Sequence, residues 1–176
     1  VEGDIGMRYS IHGIVDATDI ARVSELSGLS EQRCKELIDY LSVHTDVVPK
    51  DDDDELEALD YALASLAIEV AVTRHAGHLE QYYSPMGISY MQMGKDLTAV
   101  KTVIVTGGAL IHTKRTAQIA SHALFNPLDA FSLKPKEAQV LVDRKYILAA
   151  MGILSTEYPQ TALRIMKKEL VKDGNH

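Results

Sequence analysis

The segment Lys101 to Leu110 reads KTVIVTGGAL. Val103, Ile104 and Val105 are β-branched in succession, with Thr102 before them, which predicts a strand covered on both faces in the middle of a sheet. The strand runs straight into Thr106-Gly107-Gly108. Adjacent glycines lack the Cβ that would obstruct a sharp turn or keep a ligand away from the backbone. Beyond Thr113, Ala117, Ile119, Ala120, Ala123 and Leu124 form one apolar helical face, so the glycines mark a strand-to-helix junction. Open α/β sheets bind ligands at such junctions, at the carboxyl ends of strands. A tight turn with no ligand explains the glycine pair equally well.

A chain of 176 residues that is 46% hydrophobic can bury one core, or one core with an insertion. Its net charge of −7, with no basic stripe, argues against a nucleic-acid partner. Cys34 is the single cysteine, which excludes an internal disulfide framework. With no signal-like apolar stretch, it points to the reducing cytoplasm. The apolar runs are too short to cross a bilayer, so no membrane partner is expected. The chain opens on Val1 rather than Met and is expected to be a piece of something longer.

Val1 to Ser10 reads as a loop leading to a helix over Met7 to Val15. Asp4-Ile5-Gly6 has the Asp-x-Gly form of a phosphate loop, but Met7 and Arg8 follow where small hydroxyl residues belong, so a plain loop is favoured. Thr18 to Leu41 reads as helical, with Ser30 as an N-cap, and Cys34, Leu37, Ile38 and Leu41 on one face. Cys34 is a packing residue there, since no neighbour activates it as a nucleophile. The acidic run Asp51 to Glu55 suits the start of a helix better than a metal site. In the long helix that follows, Leu56, Leu59, Leu63, Leu66 and Val70, with Ala62, Ala67 and Ala71 alongside, form a narrow seam for another helix. Gly77 ends it. His75 and His78 have a metal-compatible spacing without a third ligand, and no metal site is assigned.

Ser84 to Gly87 reads as a turn and Ile88 to Met93 as an edge strand. Met86, Met91 and Met93 are expected to fill gaps in a core, with a pliable contact surface as the other reading. Ala138 to Val142 is a second buried strand candidate. Asp143 is expected to cap a helix over Arg144 to Leu154 with a close-packing face of Ala149, Ala150 and Gly152, and a last helix runs over Tyr158 to Val171. There is no Gly-x-x-x-x-Gly-Lys loop, Gly-x-Ser-x-Gly elbow or paired-cysteine motif.

Three segments, VEGDIGMRYS, YMQMGKDLTAVKTVIVTGGAL and DRKYILAAMGIL, resemble in order and spacing the glutamate mutase accessory protein family, often labelled MutL and distinct from the mismatch-repair protein of that name. The resemblance implies an ATPase of the actin, Hsp70 and sugar-kinase superfamily that reactivates an adenosylcobalamin-dependent mutase by helping to exchange damaged cobalamin. The implied fold class is α/β: the second half of an actin-like (ribonuclease H-like) ATPase fold with an inserted, mainly helical subdomain. Residues 1–16 and 96–176 would form the core, and 17–95 the insertion and one cleft wall. By the same resemblance Thr106, Gly107, Gly108 and Ala109 match the adenosine-binding turn, and the helix after them would offer its amino end to negative charge. The end of the long helix, near Glu69 and Arg74, would reach the adenine or lie on the surface.

Neither phosphate loop is recognisable, so no catalytic residue is assigned, and the chain alone is not expected to hydrolyse ATP. ATP and Mg belong to the intact protein, in which Glu2 and Asp4 could approach the metal. The expected partners are a nucleotide and the mutase. A small-molecule kinase of the same superfamily and a non-catalytic helical interaction module are the alternatives.

Overall fold

The computed structural model describes residues 2–50 and 52–172. Val1 of the opening loop, Asp51 of the acidic run and residues 173–176 of the expected core, His176 among them, lie outside the described residues. In chain order come α1 (Ile11–Thr18), α2 (Ile20–Ser27), α3 (Glu31–Val43), α4 (Asp54–His75), β1 (His78–Ser84), β2 (Gly87–Met93), β3 (Thr102–Val105), α5 (Gly108–Ile111), α6 (Thr116–Ser121), β4 (Gln139–Val142), α7 (Leu148–Leu154), α8 (Pro159–Glu169) and β5 (Val171–Lys172).

The helix boundaries follow from capping chemistry. Ser30 accepts a hydrogen bond from the Arg33 N–H at the start of α3, and Asp53 accepts one from Leu56 N–H at the start of α4. Asp54, Glu55 and Glu57 occupy the first turn of α4, and Arg74 and His75 its last, so charge complements the helix dipole at both ends. The stretch expected to be helical from Thr18 to Leu41 is two helices. Gly28 ends α2 in the left-handed conformation (φ 73°), donating its N–H to Ser24 O.

The helix expected over Met7 to Val15 starts later, at Ile11, because the preceding residues are held in loop form. Arg74 Nη1 bonds Glu2 Oε2 at 2.7 Å and Asp4 Oδ1 at 2.8 Å, and Arg8 is pinned as described below. The loop crosses α1 at Gly13, where a Cβ would lie 1.8 Å from the Asp4 carbonyl oxygen. Gly13→Ala should therefore cost about 3 kcal/mol, the upper part of the overpacking range, by pushing loop and helix apart. Urea unfolding of the variant checks this.

Ile11, Ile14, Val23, Cys34, Ile38, Leu41, Leu56, Leu59, Leu63 and Leu66 form one core of the four helices. Cys34 is fully buried there, as expected of a packing residue. Two sequence expectations change. Residues 2–16, expected to belong with the sheet, pack with the helices instead. The apolar face of α1 is fully buried against α2, α3 and α4, which supply the cover it needs. Nor is the α4 face a narrow seam. Ala62 to Leu66 are buried all round, because α1 and α2 pack on one side and α5 and α6 on another.

β1 and β2 pair as an antiparallel hairpin, Tyr83 opposite Ile88. The first strand was not evident in the sequence, since HLEQYYS lacks clear alternation. Gly77 feeds the hairpin where its backbone passes so close to residues 93–95 that a Cβ would sit 2.3 Å from Met93 O. Met86 is 98% exposed and Met91 and Met93 are also exposed, so none of the three fills a core.

The second sheet has the order β3-β4-β5, with β3 parallel and β5 antiparallel to β4. β3 is thus an edge strand among the described residues, not a central one. Val105 is buried while Ile104 is 44% exposed, since only one neighbouring strand and one helical layer cover it. Val105, Ile111, Ala120 and Val142 form its core. The helix expected from Arg144 begins only at Leu148, and Asp143, 2% exposed, caps it from four residues ahead of the N-cap position Ile147 by accepting from the N–H groups of Ile147 and Leu148. The helix it caps is short, and Ala149, Ala150 and Gly152 face outward instead of forming a packing surface.

Glu69, in α4, ties the helical core to α6. Its carboxylate takes Arg22 Nη2 at 3.1 Å and lies 3.4 Å from His122 Nδ1. The His122 hydrogen bond, helped by the Arg22 charge and opposed by burial, holds the Glu69 carboxyl below its ordinary range. A depressed carboxyl stabilises the fold above its unfolded pKa and loses that contribution as pH falls through the folded value. Glu69→Gln should therefore cost about 1 kcal/mol at pH 7, and the difference from the parent should close below the ordinary glutamate pKa of about 4.3. Urea unfolding at pH 7 and pH 3 measures both.

Candidate functional site

A cleft of about 720 Å³ opens between the helical core and the β3–α5 junction. One side is formed by Gly108 and Ala109, followed by His112, Thr113 and Lys114. The other is built from Met7 and Arg8, the loop residues Thr45, Val48, Pro49 and Lys50, and the first two turns of α4 at Glu57, Asp60 and Tyr61. The volume is within the range of small-molecule sites.

The glycine turn is bare backbone above a strand. Gly107 has φ 102°, a conformation L side chains rarely adopt, and a Cβ placed there would meet nothing within 4 Å. Gly108 has ordinary φ, and its nearest neighbours would be Tyr146 Oη at 3.8 Å and His112 Cδ2 at 3.9 Å, which is simple contact distance. Of the four residues matched to the adenosine turn, Gly108 and Ala109 line the cleft. Thr106 and Gly107 set the geometry of the turn just behind them. The helix after the turn does not extend as a single rod. α5 is four residues long, so it carries little of a helix dipole. The cleft's positive charge comes instead from side chains, Lys50 and Lys114.

Arg8 and Asp60 brace the opposite wall. Arg8 Nη1 donates to Asp60 Oδ1 at 2.9 Å and Nη2 to Oδ2 at 2.8 Å, a bidentate pair. The same guanidinium donates to Val47 O through Nε (3.1 Å) and Nη2 (3.0 Å), and to Met7 O at 2.7 Å. One side chain therefore joins the opening loop, the 44–50 loop and α4. The side chains are only 14% and 18% exposed, and burial pushes the Asp60 carboxyl above its ordinary range although Arg8 opposes the shift.

Tyr61, one residue on, is packed against Arg115, whose Cζ lies 3.2 Å from the ring centroid.

Sequence reasoning missed this wall. It looked to the end of α4, whereas Glu69 is committed to Arg22 and His122, and Arg74 to Glu2 and Asp4. The face of α4 bearing Glu57, Asp60 and Tyr61 at spacings of three and four was the available signal. Glu2 and Asp4 are also spoken for: hydrogen bonding to Arg74 lowers the Asp4 pKa. No cluster of three or more His, Cys, Asp or Glu suited to a metal occurs among the described residues.

The family model described as MutL protein matches residues 1–170. The chain belongs to the MutL family. Protein MutL of Clostridium tetanomorphum is 40% identical to this MutL-family chain over 178 residues. The alignment covers 98% of the chain and 37% of that relative, so the chain spans little more than a third of the relative's length. No solved structure matches the chain. No helix among the described residues is long and apolar enough to cross a membrane.

Proposed function

We propose that this MutL-family chain is the ATP-binding half of an actin-like ATPase that reactivates an adenosylcobalamin-dependent mutase of the glutamate mutase type, helping to exchange damaged cobalamin. The observation that carries the reading is the open cleft bordered by Gly108 and Ala109 at the carboxyl end of a strand in a parallel pair. A nucleoside fits against backbone there, and Lys50 and Lys114 supply charge for its phosphates. α4 and the 44–50 loop form the facing wall, in keeping with a helical insertion that closes over the ligand. Magnesium and the phosphate loops would come from the remainder of the intact protein. ATP hydrolysis depends on positioning those groups, so this chain binds and orients the nucleotide and does not hydrolyse it.

The exposed β1–β2 hairpin keeps the interaction-module reading in play. Tyr83, Met86, Ile88 and Tyr90 are all more than half exposed, and such residues are enriched in protein interfaces. The two readings are separated by titrating the full-length protein with ATP calorimetrically, then capturing glutamate mutase with and without ATP. Saturable ATP binding, with mutase capture that changes on adding nucleotide, is the expected result. Nucleotide-independent capture by a protein that does not bind ATP would leave only the interaction module standing.

A further inference from the structure

We infer that Tyr61, supported by Arg115, is the platform on which the base of the nucleotide stacks, so that the α4 wall takes the base and not the phosphates. This deepens the nucleotide reading above and rests on it. Tyr61 lines the cleft, and the Arg115 guanidinium covers one face of its ring with Cζ 3.2 Å from the centroid, leaving the opposite face as the one a base would use. Arg115 is itself pinned: its Nε donates to Gln118 Oε1 at 2.9 Å and its backbone N–H to Thr113 Oγ1 at 3.1 Å. The ring is therefore held in one orientation by a cation before any ligand arrives, which reduces the entropy lost on stacking.

Charge decides which end of a nucleotide belongs here. Glu57 lies one turn before Tyr61 on the same helix face, and Asp60 is its neighbour, with Arg8 already engaged by Asp60. Phosphates placed against α4 itself would meet the Glu57 carboxylate, whereas the cations that suit them, Lys50 on the 44–50 loop and Lys114 beyond the glycine turn, stand on other elements of the cleft. An uncharged purine meets an aromatic face and hydrogen-bond acceptors, an arrangement that suits a base with an exocyclic amine.

The test uses full-length protein and ATP itself. Tyr61→Phe and Tyr61→Trp, which keep a π-face, should hold ATP affinity within about threefold of the parent, whereas Tyr61→Leu should lose about tenfold or more. Saturation-transfer NMR on the unmodified protein needs no variant. Adenine H2 and H8 should be the most strongly saturated ligand protons. Parent-like ATP affinity in Tyr61→Leu, an equal loss in Tyr61→Phe, or saturation concentrated on the ribose would each overturn the platform while leaving the nucleotide reading intact. Failure of the parent protein to bind ATP would overturn the nucleotide reading, and this inference with it.

Discussion

Gly108→Val in the full-length protein should lower ATP affinity by about 100-fold or more, on the order of 3 kcal/mol of binding free energy, while leaving the melting temperature close to that of the parent. The two halves of this expectation have separate origins. A Cβ at Gly108 reaches only contact distance from Tyr146 and His112, and the backbone there has ordinary φ, so the protein itself accommodates a side chain. The same residue borders the cleft, so the branched side chain takes up ligand space. Gly107 should behave in the opposite way. At φ 102° a side chain is strained even though the space beside it is open, and Gly107→Ala should cost about 1–3 kcal/mol of fold stability. Calorimetric titration with ATP and thermal unfolding of both variants separate the two effects. Unchanged ATP affinity in Gly108→Val would remove the turn from the binding site.

Arg8 and Asp60 should give the second large effect. Removing either partner leaves a largely buried charge without its counter-ion, and Arg8→Met or Asp60→Leu should each destabilise the fold by about 3–5 kcal/mol. The double variant should recover most of that loss, because an apolar pair of similar volume pays no desolvation penalty. The coupling energy of the cycle would then be large. The raised pKa of Asp60 argues the same way. Its folded value lies above its unfolded one, so the group's contribution to stability falls as pH rises between the two, and the charged carboxylate is the costlier state. What the pair provides is position, since Arg8 also holds Val47 O and Met7 O and so fixes two loops against α4. Urea unfolding of the single and double variants measures the cycle. ATP titration of the double variant should show weakened binding despite restored stability, because three parts of the cleft wall lose their common anchor.

Much of the local structure was legible. Ser30 and Asp143 act as caps, Cys34 packs in a core, the acidic run opens a helix at Asp53 and Asp54, and the glycines follow a strand. Each rests on chemistry within a few residues: an oxygen beside unpaired N–H groups, a helix dipole, a missing Cβ. The edge position of β3, the outward face of α7 and the exposed methionines were misread. Apolar composition records that a residue can be buried, and whether a partner lies opposite is decided elsewhere in the chain. The first strand of the hairpin was missed for a related reason, since its pairing with β2 and not its own pattern makes it a strand.

The sequence alone determined most of the helical stretches, the β2, β3 and β4 strands, where bare backbone meets the end of a strand, and the family to which the chain belongs. Only the tertiary structure decided what faces that backbone. It turned the start of α4 toward the glycines, committed Glu69 and Arg74 to other partners, and brought Arg8, Val47 and Asp60 together across 52 residues of chain. Local signals are carried by neighbours one helical turn away, whereas a cleft is made by side chains whose distance in sequence says nothing of their distance in space.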